Sequence, residues 1–158
     1  MNLLPFFQSF EASGVGRLVR ESVWGFAVIE SFHLLSLVML GGSVLLVDLR
    51  ILNFGLRDRS IGELAREARP WRNLGLVVML LTGYALFASE ATKCYYSTPF
   101  WVKISTLVVA ILFTYTVHNR ATLSNDSHAS NGKVVIALIS MALWFVVAAA
   151  GRWIGFSG

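Results

Sequence analysis

Two pairs of ionisable residues repeat at one interval inside apolar sequence. Fifteen residues separate His33 from Asp48, and fifteen separate Lys103 from His118. Glu30 stands one helical turn before His33. A charged side chain in hydrocarbon costs roughly 2.5–3.5 kcal/mol on the smaller scales. Each of these groups must therefore be offset by a partner or kept for a task. The residue types allow three kinds of work. Acid–base pairs lock helices together, an acid–histidine–lysine series passes protons, and a histidine offers a ring nitrogen to haem or another metal.

The elements that carry these groups follow from composition. The chain has 158 residues, 56% hydrophobic and 14% charged, with a mean hydropathy of +0.66. Soluble domains carry nearer a quarter charged residues. Four apolar runs, about 23–52, 74–90, 100–118 and 134–154, approach or exceed the length of about 20 residues that crosses a bilayer. Each must be helical, because lipid offers no partner to a bare backbone amide. The expectation is an all-α integral membrane four-helix bundle in one domain.

Basic residues orient it. Eight of the thirteen fall in or beside the loops joining the first helix to the second and the third to the fourth. Four lie at the other side, and Lys103 lies within the membrane. The positive-inside rule places the arginine-rich loop in the cytoplasm and both termini in the periplasm. Residues 5–22 read as an amphipathic segment lying on the outer surface. Ser60 and Glu63 form a capping-box pattern that starts a short helix, which Pro70 ends. Trp24, Trp71, Trp101 and Trp153 fall near helix ends, where indoles sit among headgroups. Residues 121–132 form a polar flexible loop in which His128 is solvated.

On this topology the first and third helices are parallel. Asp48 precedes Arg50 by two residues, as His118 precedes Arg120. At 1.5 Å per residue, His33 and Lys103 then share a level about 22 Å from the Asp48–His118 level. Glu30, His33, Leu37, Gly41, Val44 and Asp48 fall on one stripe of the first helix. Lys103, Thr106, Ala110 and Thr114 form a stripe on the third, with His118 at its edge. The stripes are expected to face each other. Glu30, His33 and Lys103 then make an outer polar cluster, with a Glu30–Lys103 ion pair. Asp48 and His118 make an inner pair that Arg72 can join. Gly41 and Gly42 permit close helix contact between the levels, and the Ala148–Gly151 run does so on the fourth helix.

The same arithmetic bears on haem. The axial ligands of one iron approach it from opposite sides within a few Å, so His33 and His118 cannot share one in a single chain. A site at His33 alone, or one shared with another chain, stays open as a haem b or metal site. The net charge of +4 marks topology rather than nucleic-acid binding. The single cysteine, Cys94, excludes an intrachain disulfide and a cysteine-based metal site.

Several stretches resemble an uncharacterised family of small bacterial inner-membrane proteins. They are Glu21-Ser22-Val23-Trp24, the run IESFHLLSLVMLGGSVLLVDLRIL at 29–52, LTGYALFASEAT at 81–92 and YYSTPFWVK at 95–103, with His118 closing the third helix. Thr98 stands where the family pattern has asparagine. The resemblance implies four helices in a bacterial cytoplasmic membrane and no established activity. More distantly, the histidine and double glycine of the first helix are similar to copper-resistance D-type and cytochrome b561-like membrane domains. That likeness implies haem or copper.

The chain shows no sizeable water-exposed domain, nucleotide loop or nucleophilic constellation. The expected function is therefore non-enzymatic: a small subunit or scaffold of a membrane complex. Its partners are the lipid bilayer and other membrane subunits or further copies of itself. Electron transfer by haem at His33, and proton or ion conduction, are the alternatives.

Overall fold

A computed structural model describes residues 3–123 and 130–156. His128 and the middle of the polar loop lie outside the described residues. The described chain is all-helical. In order it forms α1 (Leu4–Glu11), α2 (Gly14–Glu21), α3 (Gly25–Ile51), α4 (Ile61–Ser89), α5 (Ala91–Tyr96), α6 (Thr98–Phe113), a π-helical turn (Thr114–His118), α7 (Asn119–Leu123) and α8 (Asn131–Ile154).

Among the described residues four helices are long and apolar enough to cross a membrane: Gly25–Ile51, Ile61–Ser89, Thr98–Leu123 and Asn131–Ile154. The third is α6, the π turn and α7 run together. At 1.5 Å per residue these span about 36 to 44 Å, more than the hydrocarbon thickness of about 30 Å.

The four run alternately up and down. α3 packs on α4 and on α8, and α6 packs on α8. The ring closes where α7 meets α4, at the arginine-rich end. α3 and α6 are therefore diagonal, not adjacent. Their inward stripes face each other across the bundle axis. The central core takes a side chain from every spanning helix: Leu40 and Val44 from α3, Met79 from α4, Ala110 from α6, and Trp144 and Val147 from α8. Trp144 donates its indole N–H to Thr114 Oγ1 at 3.2 Å, so the largest core ring is also satisfied. A second core of Val47, Ile51, Ile61 and Ala137 lies toward the arginine-rich end.

The Ser60–Glu63 capping box forms with both of its bonds. The helix it starts does not stop at Pro70, contrary to the sequence expectation. It runs through to Ser89 as α4. Proline removes one backbone donor and crowds the carbonyl four residues back. Here Pro70 and Arg66 are both exposed, and an exposed carbonyl can turn toward solvent.

The N-terminal segment is also more than a surface strip. It folds into two short helices that dock on the other end of the bundle, α1 on α5 and α4, α2 on α4 and α3. Phe7 is buried among Phe87, Tyr95, Phe100 and Trp101, with ring centroids 5.2 to 6.4 Å away. Ser13 caps α2 by accepting the Gly16 N–H. Glu11 Oε2 accepts the Thr92 N–H at 2.9 Å and also its hydroxyl. Glu11 Oε1 pairs with Arg20 at 3.3 Å.

Close helix contact does not fall on Gly41 and Gly42. A Cβ at either would meet nothing within 4 Å. It falls on Gly75 of α4, where a Cβ would come 2.8 Å from the Leu40 backbone nitrogen and 3.0 Å from the Ser36 carbonyl. The α3 backbone lies against that missing side chain. In an apolar solvent such contact is a main source of helix association.

Two predictions follow from this packing. Alanine gains about 1 kcal/mol over glycine in a helix, but forcing an atom into a packed contact costs about 1–3 kcal/mol. Gly75→Ala should therefore lower the thermal midpoint of the purified protein in mild detergent. Gly41→Ala and Gly42→Ala should leave it unchanged or raise it. The second prediction concerns acid. The Thr92 hydrogen bonds, with a smaller contribution from Arg20, hold the Glu11 carboxyl below its usual range. A depressed folded value means that its contribution is full above the unfolded value of about 4.3. That contribution is lost as pH falls through the lower folded value. Cleavage of residues 12–24 by an acid protease should accelerate across that window, and Glu11→Gln should remove the step.

Candidate functional site

The diagonal stripes bring their polar groups together at two levels. At the inner level His118 Nε2 lies 2.7 Å from Asp48 Oδ1, and both residues are fully buried. Nε2–H donates, because the carboxylate can only accept. Asp48 Oδ2 and His118 Nδ1 have no protein partner, and Ser140 of α8 faces the carboxylate.

The π turn bears on how His118 meets Asp48. Fifteen residues of regular helix would leave His118 about 60° round from Lys103. In the turn, Asn119 N–H bonds the Thr114 carbonyl, five residues back. This wider turn advances less per residue and takes back part of the offset. The neighbouring residues anchor it. Asn119 Oδ1 accepts from Arg72 at 2.7 Å, and Tyr115 donates to Asn73 Oδ1 at 2.7 Å. The Arg72 guanidinium also lies over the Tyr115 ring at 4.9 Å. Arg72 thus ties α4 to the residue after His118 and does not join the Asp48 pair itself.

At the outer level His33 sits between α4 and α6. Its Nδ1 is 2.9 Å from Thr82 Oγ1, and its Nε2 is 3.4 Å from Lys103 Nζ. The Thr82 hydroxyl proton is already committed to the Val78 carbonyl at 2.7 Å. Nδ1–H is then the donor to Thr82, and Nε2 offers its lone pair to Lys103. Glycines clear the ground beside both residues. A Cβ at Gly83 would sit 3.1 Å from His33 Cε1, and one at Gly151 would sit 3.4 Å from Lys103 Nζ. All four spanning helices therefore shape this level.

Glu30 is not part of the outer cluster. It is exposed, and no ion pair joins it to Lys103 among the described residues. It lies a turn further out and about 60° round from His33. His33 stands beside Lys103 where Glu30 was expected, and Thr82 bonds the other ring nitrogen of His33. Threonine gives little sequence signal for this, since its hydroxyl can always bond its own helix.

Among the described residues no hydrogen bond links one level to the other. Between them lie Leu40, Val44, Met79, Ala110 and Val147. The hydroxyls of Ser36 and Ser43 bond carbonyls of their own helix, His33 and Met39, at 2.7 and 2.6 Å. A metal at His33 Nε2 would have to displace Lys103. Among the described residues no three His, Cys, Asp or Glu side chains gather as a metal site. Cys94, in α5, is buried, which pushes its thiol up to about 11 and keeps it protonated.

Four helices long and apolar enough to cross a membrane, cross-tied at two buried polar levels, define an all-helical bundle. The chain belongs to DUF6644, a family of unknown function, whose model matches residues 6–157. No curated protein and no solved structure matches it. The more distant likeness to copper-resistance D-type and cytochrome b561-like domains has no named relative behind it.

The inner pair should behave as one unit. Removing one member of a buried pair strands the other, at a cost of about 3 kcal/mol, whereas replacing both by apolar residues costs less. In chemical denaturation Asp48→Leu should therefore destabilise more than the double variant Asp48→Leu/His118→Leu. Simple addition of the two single effects would show that the bond contributes nothing.

Proposed function

We propose that this is a non-enzymatic multi-pass protein of a bacterial inner membrane, a small subunit or scaffold of a membrane complex. One observation carries the reading. The polar groups inside the bundle bond across helices at two levels, and an apolar layer seals one level from the other. Such groups hold helices in register, and they do not line a path for protons or ions. His33, the residue best suited to haem, has both ring nitrogens engaged.

The outward faces support a docking role. Phe145 and Trp153 on α8, and Leu81 on α4, are all more than 60% exposed. The arginine-rich end, facing the cytoplasm on the positive-inside rule, carries a short loop and the start of α4 among the described residues. Work done by this chain would thus be done within or beside the bilayer.

The full chain, tagged and extracted from its own host in mild detergent, should co-purify with a membrane protein or with itself at fixed stoichiometry. A uniformly monomeric, partner-free preparation would remove the subunit reading. A Soret band that disappears in His33→Ala would replace it with electron transfer.

A further inference from the structure

The ring of helices is open along one seam. α4 packs on α7 but not closely on α6, and side chains bridge the α4–α6 seam at its two ends. At the outer end Phe87 stacks on Phe100, with ring centroids 5.5 Å apart. At the arginine-rich end Arg72 bonds Asn119 and Tyr115 bonds Asn73, each at 2.7 Å. Between these bridges Leu76 on α4, with Leu107 and Ile111 on α6, packs on the central core and stays partly exposed. Leu80 and Val108 are 47% and 53% exposed. The seam is therefore apolar along its length and ends in polar ties at the arginine-rich side.

Two arginines stand over that end. Arg69 lies one turn before Arg72 on the same side of α4, the side that meets α7. Arg120 follows Asn119, which holds Arg72. Both arginines are exposed, and neither makes a hydrogen bond or an ion pair with a described residue. The other arginines of this end are engaged. Arg50 and Arg57 donate to carbonyls of the loop before α4, Arg59 pairs with Glu67, and Arg66 is beside Glu63. The depth also fits. On α4 the outward residues change from Arg69 to Trp71, Leu74 and Val77, and on the third span Leu112, Tyr115 and Val117 precede Arg120. The Arg72–Asn119 bond sets the two changes of character at one height, where headgroups begin.

We propose that this seam holds a phospholipid of net negative charge, its phosphate between Arg69 and Arg120 and an acyl chain along Leu76, Leu80 and Val108. In a membrane the anions at that height are lipid phosphates, and a guanidinium presents paired N–H donors to phosphate oxygens. Basic sites between spanning helices select such headgroups. A zwitterionic lipid brings its own cation against the two arginines and competes poorly. This rests on the membrane placement in the reading above and adds a lipid to its partners.

The test uses full-length protein titrated with phosphatidylglycerol or phosphatidylcholine of matched chains in mild detergent. Native mass measurement should show phosphatidylglycerol retained in preference to phosphatidylcholine. Its apparent affinity should fall roughly fivefold in Arg69→Gln or Arg120→Gln and roughly thirtyfold in the double variant. Arg59→Gln/Arg66→Gln removes the same charge from the same end and should keep the affinity. All four arginines are exposed, so each variant should keep the thermal midpoint of the wild type. A phosphatidylglycerol with a diazirine in its acyl chain then locates the site. Light expels nitrogen, the carbene inserts into a nearby C–H bond, and the labelled peptides should come from residues 74–81 and 104–112. No preference for phosphatidylglycerol, an equal loss in the Arg59/Arg66 variant, or labels mainly on α3 or α8 would each overturn the proposal while leaving the membrane reading in place. A chain that an alkaline wash releases from membranes would end both.

Discussion

The bundle is organised by what an apolar surrounding does to a polar side chain. In water an Asp or His can always fall back on solvent, so its pairing is worth little. In a dry bundle the alternative to a partner is an exposed lone charge or dipole, and the pairing chooses the geometry. Asp48 and His118 sit on helices that are not neighbours. Their 2.7 Å bond crosses the bundle axis, so it constrains α3 and α6 together, and with them the α8 and α4 that fill the space between. His33 and Lys103 repeat the constraint nearer the other end.

Much of this was legible because helices convert sequence interval into height. Equal intervals of fifteen residues on two parallel helices must produce two levels, whatever the side chains between them. Azimuth was less legible. Regular helical spacing puts His118 at the edge of its stripe, and the structure adds a π turn that no residue type announces. The turn is recognisable only through its outcome, with Asn119 and Tyr115 engaged on α4 and Thr114 on α8. Glu30 shows the converse limit. Its height suited an ion pair with Lys103, but one turn and about 60° of rotation are enough to put a carboxylate outside.

Glycine and proline misled for a related reason. Gly41-Gly42 looks like a contact because the pair is conspicuous, yet contact depends on which helix approaches which face. α4 approaches α3 at Ser36 and Leu40, so the glycine that matters is Gly75 on the incoming helix. Pro70 looks like a stop because its missing donor is usually unaffordable. On the exposed side of α4 the freed carbonyl has water or headgroups to turn to. The N-terminal hairpin was read only as amphipathic, since nothing local says that Phe7 will find four other rings. Glu11 and Thr92, eighty-one residues apart, close that contact and are invisible to any pattern of short range.

Two cross-ties separated by about 22 Å also explain why the middle of the bundle needs no ionisable group of its own. A helix pair held at both ends has little freedom to slide or rotate, so Leu40, Val44 and Met79 can pack for shape alone. A conducting protein has the opposite requirement: its polar groups must reach one another, and its packing must leave them room to exchange partners. Here the serines that lie between the levels turn back on their own helices, and the largest residue of the core closes the axis where a path would have to run. The arrangement favours rigidity inside and leaves recognition to the outside. On that outside, the exposed carboxylate of Glu30 is hard to reconcile with lipid.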